Sequence, residues 1–382
     1  MKIVFVINSL EGGGAERVVS TLAFYLGSRG HDLSILTLHP PNAAYPLPAE
    51  MEVRKLSSGR FAVGPGKVLA IPLLAAELRR ELKRRLPEVV VSFLVRANLV
   101  HVVSALGDHS FPVVLSERIQ TTEYYRGGSL VNFMMRRLVD AMYPRADAVI
   151  AISGAVKQSL VTLNVPPEKV RVIHNPIDAS NIVPRTGRSP RLDEGIVHLV
   201  SLGRFVGFKD QKTIIRALAA VHRRGLQARL TMIGDGPLRR DLEAAARALH
   251  VEQSVEFTGW IAEPHALVAT ADIFLFSSLY EAFGNVITEA LACGVPIVSS
   301  DCSGGPQEIL DRGQYGLLFP IGDSEAMADR IVQLVRDAAL YERLQKKGLQ
   351  RAAQFEVTAI GEQYLEAFRE AIEQHRRTGR QT

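Results

Sequence analysis

Two acidic residues, Glu281 and Glu289, give the clearest chemical signal in the sequence, in the run Ser277–Pro296 (SSLYEAFGNVITEALACGVP). The pattern predicts that Glu281 lies in a loop after a strand, that a helix begins near Asn285, and that Glu289 points inward just past the first turn. A carboxylate placed there could accept hydrogen bonds from both hydroxyls of a ribose, while the backbone amides of Asn285 and Val286 at the helix start face a phosphate. The alternative is that both acids are surface residues, with Glu289 in a favourable first turn.

Two basic residues in a glycine turn could supply the complementary positive charge. Gly203 and Arg204 follow a predicted strand, and Lys209 comes just before a predicted helix. The planar guanidinium and the compact ammonium together suit a diphosphate leaving group. The other interpretation is a pair of solvated loop cations. Gly234 lies in a similar turn, Gly-Asp-Gly-Pro, which by itself indicates only a turn.

A third glycine turn follows the first predicted strand. The run Gly12–Arg17 (GGGAER) opens a predicted helix. The amides near Gly13 and Gly14 could therefore approach an anionic group, either the phosphate of a substrate that donates a group or part of the substrate that accepts it. The spacing is not that of a dinucleotide-binding fingerprint. A plain tight turn therefore remains the alternative.

The composition indicates a globular protein with two cores. A length of 382 residues suits two α/β domains, and a hydrophobic fraction of 47% with 22% charged residues excludes disordered and fibrous classes. The two cysteines, Cys293 and Cys302, lie outside any metal-ligand spacing, which favours a reducing cytoplasm. The apolar start, Ile3–Ile7, is shorter than a secretory leader, and no apolar run reaches the ~20 residues needed to span a bilayer.

Basic residues account for a formal net charge of +5 and are clustered. They are either solvated helix faces or a surface for anionic lipid headgroups or a diphosphate. Nucleic acid is not expected as a partner, because a basic groove with aromatic stacking platforms is missing. The clusters are Arg79 to Arg85, Arg136 with Arg137, and Arg376, Arg377 and Arg380.

Short apolar runs alternate with helical patterns along the whole chain, which predicts an α/β fold of two facing, doubly wound Rossmann-like domains. The boundaries are expected at 1–183 and 196–356, with a linker at 184–195 that is rich in Pro, Gly and charge. Ligands of such folds bind beyond the carboxyl ends of the strands, here in a cleft between the domains. Strands are predicted near 2–8, 32–38, 89–94, 112–117, 146–153, 170–176, 196–203, 228–234, 254–258, 273–277, 296–300 and 316–319.

In this order and spacing the segments resemble family four of the retaining glycosyltransferases, which have the GT-B fold. The resemblance covers nearly the whole chain and includes the Glu, seven residues, Glu motif of Glu281–Glu289. The matching segments are Gly12–Arg17, Val172–Asp178, Gly203–Lys209, Gly234–Pro237, Phe257–Trp260, Glu281–Glu289, Gly305–Ile309 and Gly316–Pro320.

The resemblance implies a role for each matching residue. Arg204 and Lys209 would hold the donor diphosphate, and Glu281 would contact hydroxyls of the transferred sugar. Glu289 would hold the ribose, with the base near Trp260. Backbone contacts to the donor would come from Gly13, Gly14, Gly203, Gly234, Asn285 and Val286. The last helix, about 357–378, would pack back on the N-terminal domain.

Two departures from the family pattern affect these expectations. Pro176 replaces the usual glycine of the hinge segment, which restricts the backbone. In the first domain Arg118 aligns where many relatives have a histidine, so Glu117 or Arg118 would make the acceptor or sugar contacts.

The expected reaction moves an N-acetylhexosamine or hexose from a UDP-sugar to a lipid-linked or lipopolysaccharide glycan acceptor. The resemblance to cell-surface glycan transferases and the basic clusters place it at the cytoplasmic membrane face, as a peripheral protein on an anionic surface. Neither glutamate would attack the sugar; Arg204, Lys209 and helix-end amides would stabilise the departing diphosphate, with no cofactor and no metal. The alternatives are a nucleotide-sugar 2-epimerase and a non-catalytic nucleotide-sugar-binding scaffold.

Overall fold

The computed structural model describes residues 1–40, 42–56, 66–107, 110–185 and 195–377. Contacts divide the chain into two units. The first unit consists of Met1–Pro176 together with Val357–Thr382, and the second unit of Ile177–Glu356. Each unit is built around its own parallel sheet.

The first unit contains a seven-stranded sheet in the order β3-β2-β1-β4-β5-β6-β7, with every pair parallel. The sheet reverses its winding direction between β1 and β4, which is the switch point where such folds bind ligands. The strands are β1 (Lys2–Ile7), β2 (Asp32–Thr37), β3 (Glu52–Lys55), β4 (Val89–Phe93), β5 (Val113–Glu117), β6 (Ala148–Ala151) and β7 (Val170–Val172).

Mainly apolar sequence in the central strands explains their position. Residues Ile3–Ile7 of β1 and Val89–Phe93 of β4 are buried throughout, as expected where helices cover both faces of a parallel sheet. The connecting helices are α1 (Gly14–Ser28), α2 (Gly66–Leu69), α3 (Ile71–Arg85), α4 (Val95–Ser104), α5 (Thr121–Tyr124), α6 (Leu130–Met142) and α7 (Gly154–Thr162).

The second unit repeats the architecture with a six-stranded parallel sheet in the order β10-β9-β8-β11-β12-β13. Its switch point lies between β8 and β11. The strands are β8 (Val197–Leu202), β9 (Ala228–Ile233), β10 (Val255–Gly259), β11 (Ile273–Phe276), β12 (Ile297–Ser300) and β13 (Leu317–Phe319). The helices are α8 (Gln211–Arg223), α9 (Arg239–Ala248), α10 (His265–Val268), α11 (Asn285–Ala292), α12 (Gly305–Ile309), α13 (Ser324–Arg336) and α14 (Ala338–Ala352).

The last helix, α15 (Val357–Arg377), belongs to the first unit. Tyr364, Leu365 and Phe368 of this helix are buried in the core formed by β1, β4 and α1. An apolar stripe at helical spacing thus anchors the end of the chain. Arg380, in the basic tail noted above, lies outside the described residues.

The expected boundary and linker need correction. The second unit begins at Ile177 and not after residue 183, because Ile177 donates a backbone hydrogen bond to Phe355 O at 2.8 Å. Arg185, expected in a linker, is buried in the second unit: its amide bonds Cys293 O at 2.8 Å and its guanidinium bonds Asp272 at 2.8 Å. Residues 186–194 of the expected linker lie outside the described residues.

The twelve strands expected from the sequence are all present, and β3 is an addition. Its residues, Glu-Val-Arg-Lys, are exposed or half-buried at the edge of the first sheet, so they show no apolar run. Within the described part of the chain, no helix has the length and apolar character needed to cross a bilayer.

Candidate active site

The loops that follow β8 and β11 meet at the switch point of the second sheet. Leu279 donates its amide to Phe208 O at 2.8 Å, and Ser277 Oγ donates to Lys209 O at 2.8 Å. The rings of Phe208 and Tyr280 stack with centroids 5.2 Å apart. These contacts fix one loop against the other, so that side chains distant in sequence share one edge of the sheet.

Lys209 and Glu281 form an ion pair where these loops meet. Their side chains are 18% and 16% exposed, so the pair is open to a ligand but largely shielded from water. The Lys209 ammonium also lies 5.3 Å from the ring centroid of Phe276, at the end of β11. Partial burial strengthens the attraction of this cation for an anion, and the aromatic contact stabilises the ammonium group where it lies.

The backbone of Glu281 is held by a third loop, the one after β12. Glu281 donates its amide to Ser303 O at 3.4 Å and accepts from the Gly305 amide at 3.3 Å. A Cβ atom on Gly305 would lie 2.0 Å from Phe283 O. Only glycine fits this approach, which explains the glycine turn that the sequence shows here.

Glu289 lies on α11 and is 5% exposed. Its Oε2 atom is 3.7 Å from Nε2 of His265, the first residue of α10. No local sequence pattern points to His265, because the packing of α10 against α11 cannot be seen along the chain. Helix α11 begins at Asn285, so the first amides of the helix, those of Asn285 and Val286, have no acceptor within it and can bind an anion.

The glycine turns after β8 and β9 pack directly on each other. Gly203 donates to Ile233 O at 2.9 Å, and a Cβ atom on Gly234 would lie 2.2 Å from Gly203 O. Gly234 therefore has a packing role that the sequence did not reveal. Arg204 is exposed in this turn, and Trp260, just after β10, is 62% exposed.

Glu117 and Arg118, at the carboxyl end of β5 in the first unit, are both buried. Glu117 accepts hydrogen bonds from Tyr143 Oη at 2.6 Å and from the amides of Arg118 and Ile119 at 3.0 and 3.2 Å. Burial nonetheless raises the pKa of the Glu117 carboxyl to about 7. Burial therefore raises the pKa of Glu117 by more than the three hydrogen bonds lower it.

The Arg118 guanidinium donates to Tyr364 Oη on α15 at 2.7 Å and to Asn175 Oδ1, and it lies 5.1 Å from the ring centroid of Phe93. Burial lowers the pKa of Arg118. These bonds tie the end of β5 to the last helix. The expected sugar or acceptor contacts of Glu117 and Arg118 stay predictions.

Gly13 and Gly14 lie where expected, Gly13 as the N-terminal cap of α1 and Gly14 as its first residue. The turn thus presents the start of a fifteen-residue helix at the switch point of the first sheet. The structure therefore brings Lys209 and Glu281 into contact and Gly203 against Gly234. The ligand contacts assigned to these residues stay predictions. Among the residues described, no group of three or more His, Cys, Asp or Glu side chains could hold a metal ion.

Two parallel, doubly wound sheets, each in its own unit, are the architecture of the GT-B class. The fold matches solved structures of this class, among them Anabaena HepE in complex with UDP, with a TM-score of 0.78 and 23% identity. That match covers 97% of this chain and 100% of HepE. The GT-B fold expected from the sequence is confirmed.

Comparison with known sequences gives the family. Residues 12–181 match the family model "Glycosyltransferase Family 4", and residues 197–337 match "Glycosyl transferases group 1". The lipopolysaccharide core biosynthesis glycosyltransferase LpsE of Rhizobium meliloti is 31% identical over 304 residues, which is 77% of this chain and 79% of LpsE. The chain belongs to the family-four glycosyltransferases.

A relative from Campylobacter jejuni matches over nearly its whole length. It is N-acetylgalactosamine-N,N'-diacetylbacillosaminyl-diphospho-undecaprenol 4-alpha-N-acetylgalactosaminyltransferase. The two sequences are 26% identical over 366 residues, covering 95% of this chain and 98% of the relative.

Proposed function

We propose that this glycosyltransferase moves an N-acetylhexosamine or hexose from a UDP-sugar, with retention, to a lipid-linked or lipopolysaccharide glycan at the cytoplasmic face of the membrane. The observation that carries the proposal is the Lys209–Glu281 ion pair at the switch point of the second sheet. In this pair, the cation that we assign to the diphosphate lies beside the carboxylate that we assign to the sugar hydroxyls. The names of the Rhizobium and Campylobacter relatives motivate the acceptor, and the UDP in the HepE complex motivates the nucleotide.

Binding of the donor would use the edge formed by β8, β11 and α11. Lys209 and the exposed Arg204 would neutralise the diphosphate, assisted by the first amides of α11. Glu289 would accept the ribose hydroxyls, and Glu281 would accept hydroxyls of the transferred sugar. Trp260, at the end of β10, would cover the base.

The chemical step would be a front-face substitution. The bond from the anomeric carbon to the diphosphate oxygen breaks while the acceptor oxygen bonds to the same face of that carbon. The acceptor proton passes to an oxygen of the departing diphosphate. Lys209, Arg204 and the helix-end amides stabilise the charge that develops there, so the protein residues need neither a covalent intermediate nor a metal ion.

A donor screen followed by product analysis tests the proposal. UDP, GDP and their sugars are compared by thermal shift, where a nucleotide at about a hundred times its Kd adds ~2.7 kcal/mol of stability. Stabilisation by GDP and not UDP would refute the donor assignment. The best sugar donor is then followed by NMR with and without a lipid-linked glycan acceptor.

The same NMR experiment separates the alternatives. Transfer with retention gives a new α-glycosidic signal from an α-linked donor only when the acceptor is present. A nucleotide-sugar 2-epimerase would change the donor without acceptor, and a scaffold would bind the donor without changing it. A β-linked product would contradict retention.

A further inference from the structure

Helix α6 presents an apolar face that its own unit does not cover. Nine of its thirteen residues, LVNFMMRRLVDAM, are apolar, yet its buried residues are Met135 and Val139. Leu130 is 71% exposed and Phe133 is 63% exposed, one turn apart on the same side of the helix. Exposing two large apolar side chains together is costly in water, so this face is suited to an apolar partner.

Three arginines surround this face. Residues 124–137 include Arg126, Arg136 and Arg137 but no acidic residue. Arg126 and Arg137 pair with Glu123 and Asp140 at 3.3 and 3.1 Å, but both guanidinium groups are largely exposed, so these pairs contribute little and can be exchanged.

All three arginines line one groove of about 770 Å³, together with Leu130, Phe133 and one acidic residue, Asp140. The groove lies along α6, between the loop that precedes it and the end of α7. Cationic and apolar side chains therefore occupy the same concave surface.

Exposed apolar side chains also occur on helices near α6. Leu69 at the end of α2 and Leu73 on α3 are 72% and 57% exposed, and α2 contacts α6. Tyr124, at the end of α5, is also exposed. The exposed apolar side chains thus extend across several adjacent elements of the first unit.

We propose that this surface, defined by Tyr124, Arg126, Leu130, Phe133, Arg136 and Arg137 and called here the α6 surface, docks on an anionic phospholipid bilayer. Leu130 and Phe133 enter the boundary between headgroups and acyl chains, and the arginines contact lipid phosphates. The inference rests on the proposed function, since a lipid-linked acceptor requires the enzyme to reach a membrane. It adds the face of the protein that makes this contact.

Charge complementarity favours a bilayer over a second copy of the chain. A two-fold contact through the α6 surface would bring the arginines of both copies together, and like charges repel. Anionic headgroups offset the same arginines, while the acyl boundary accepts the apolar side chains. An anionic bilayer therefore complements both the positive charge and the apolar side chains of the α6 surface.

Vesicle flotation tests the docking. The intact protein is mixed with phosphatidylcholine vesicles, with or without 30% phosphatidylglycerol as the anionic lipid (roughly a typical anionic content). The wild type should float with the anionic vesicles only. The variants Leu130→Ser/Phe133→Ser and Arg126→Gln/Arg136→Gln/Arg137→Gln should each lower the partition coefficient by about a hundred-fold.

Control variants carry changes of the same kind elsewhere, with one substitution fewer in each. Phe24→Ser on α1 removes an exposed aromatic ring, and Arg343→Gln/Lys346→Gln removes two exposed cations from α14. Both controls should float as the wild type does. Equal recovery of wild type on neutral and anionic vesicles, or equal loss for control and α6 variants, overturns the proposal.

An environment-sensitive dye measures contact without relying on activity. Cys293 and Cys302 are both buried, so a thiol introduced by Phe133→Cys can be labelled selectively. Its emission should shift to the blue on anionic vesicles, while a label at Phe24→Cys should not. An unshifted label at position 133 refutes docking. Docking is also refuted if sedimentation shows a wild-type dimer that the Leu130→Ser/Phe133→Ser variant dissociates while its flotation is unchanged.

UDP binding by calorimetry keeps this inference separate from the proposed function. The α6 variants should bind UDP as the wild type does, because they lie in the first unit and outside the donor-site residues. A wild type that floats but does not bind UDP would refute the donor assignment and leave the docking surface standing.

Discussion

Replacing Lys209 by alanine should weaken UDP binding by about ten-fold. A charge-assisted hydrogen bond contributes about 1.5–3 kcal/mol, and each 1.4 kcal/mol is a factor of ten in affinity. The lower end applies because the Lys209 ammonium already pairs with Glu281 when no donor is bound. Binding therefore exchanges one anionic partner for another and gains only the difference.

Isothermal calorimetry with UDP and with the UDP-sugar measures this loss. Lys212→Ala is the matched control, because Lys212 is an exposed lysine on α8, three positions after Lys209. Glu281→Gln completes the comparison. It removes the competing carboxylate, so UDP affinity should be unchanged or stronger, while the affinity for the UDP-sugar relative to UDP should fall.

Equal UDP affinity for Lys209→Ala and Lys212→Ala would show that Lys209 does not hold the diphosphate. If Glu281→Gln lowers the affinities for UDP and the UDP-sugar by the same factor, then Glu281 contributes to binding of the nucleotide and does not contact the sugar. The melting temperature of each variant checks that the second unit remains folded.

Three further predictions concern stability, measured by urea unfolding. Gly305→Ala should cost about 3 kcal/mol, because its Cβ would overlap backbone, whereas Gly207→Ala, whose Cβ meets nothing within 4 Å, should cost under ~1 kcal/mol. Burial raises the pKa of Glu117 to about 7 from 4.5, so the folded state holds its proton longer than the unfolded state. The wild type should therefore lose on the order of 3 kcal/mol relative to Glu117→Gln as the pH rises from 4.5 to 7, and a flat difference would contradict this. Tyr364→Phe should cost about 1–2 kcal/mol by removing a partner of the buried Arg118, and no loss would mean that water replaces the hydroxyl.

Local sequence patterns sufficed for most of the fold. Buried parallel strands need mainly apolar sequence, so strands such as β1 and β8 could be placed within one or two residues. Strand β3 was not predicted, because an edge strand with exposed side chains needs no apolar run. The boundary between the two units at Ile177 was not predicted either, since it depends on a backbone hydrogen bond to Phe355, far along the chain.

Contacts between distant residues were the part of the candidate site that the sequence could not provide. Arg118 and Tyr364 are 246 positions apart, and their hydrogen bond exists because α15 returns to the first unit. The approach of His265 to Glu289 similarly depends on how α10 packs on α11. Such contacts follow from topology, which residue types along the chain do not specify.

The Lys209–Glu281 ion pair changes how the two roles relate. The sequence assigned them separately, a cation to the diphosphate and a carboxylate to the sugar, 72 positions apart. Strand order places β8 beside β11, so the two groups neutralise each other before a donor arrives. Under the proposed function, a diphosphate that bound the Lys209 ammonium would release the Glu281 carboxylate to accept sugar hydroxyls. Occupation of the phosphate site would thus prepare the sugar site, so a change at either residue should affect binding at both.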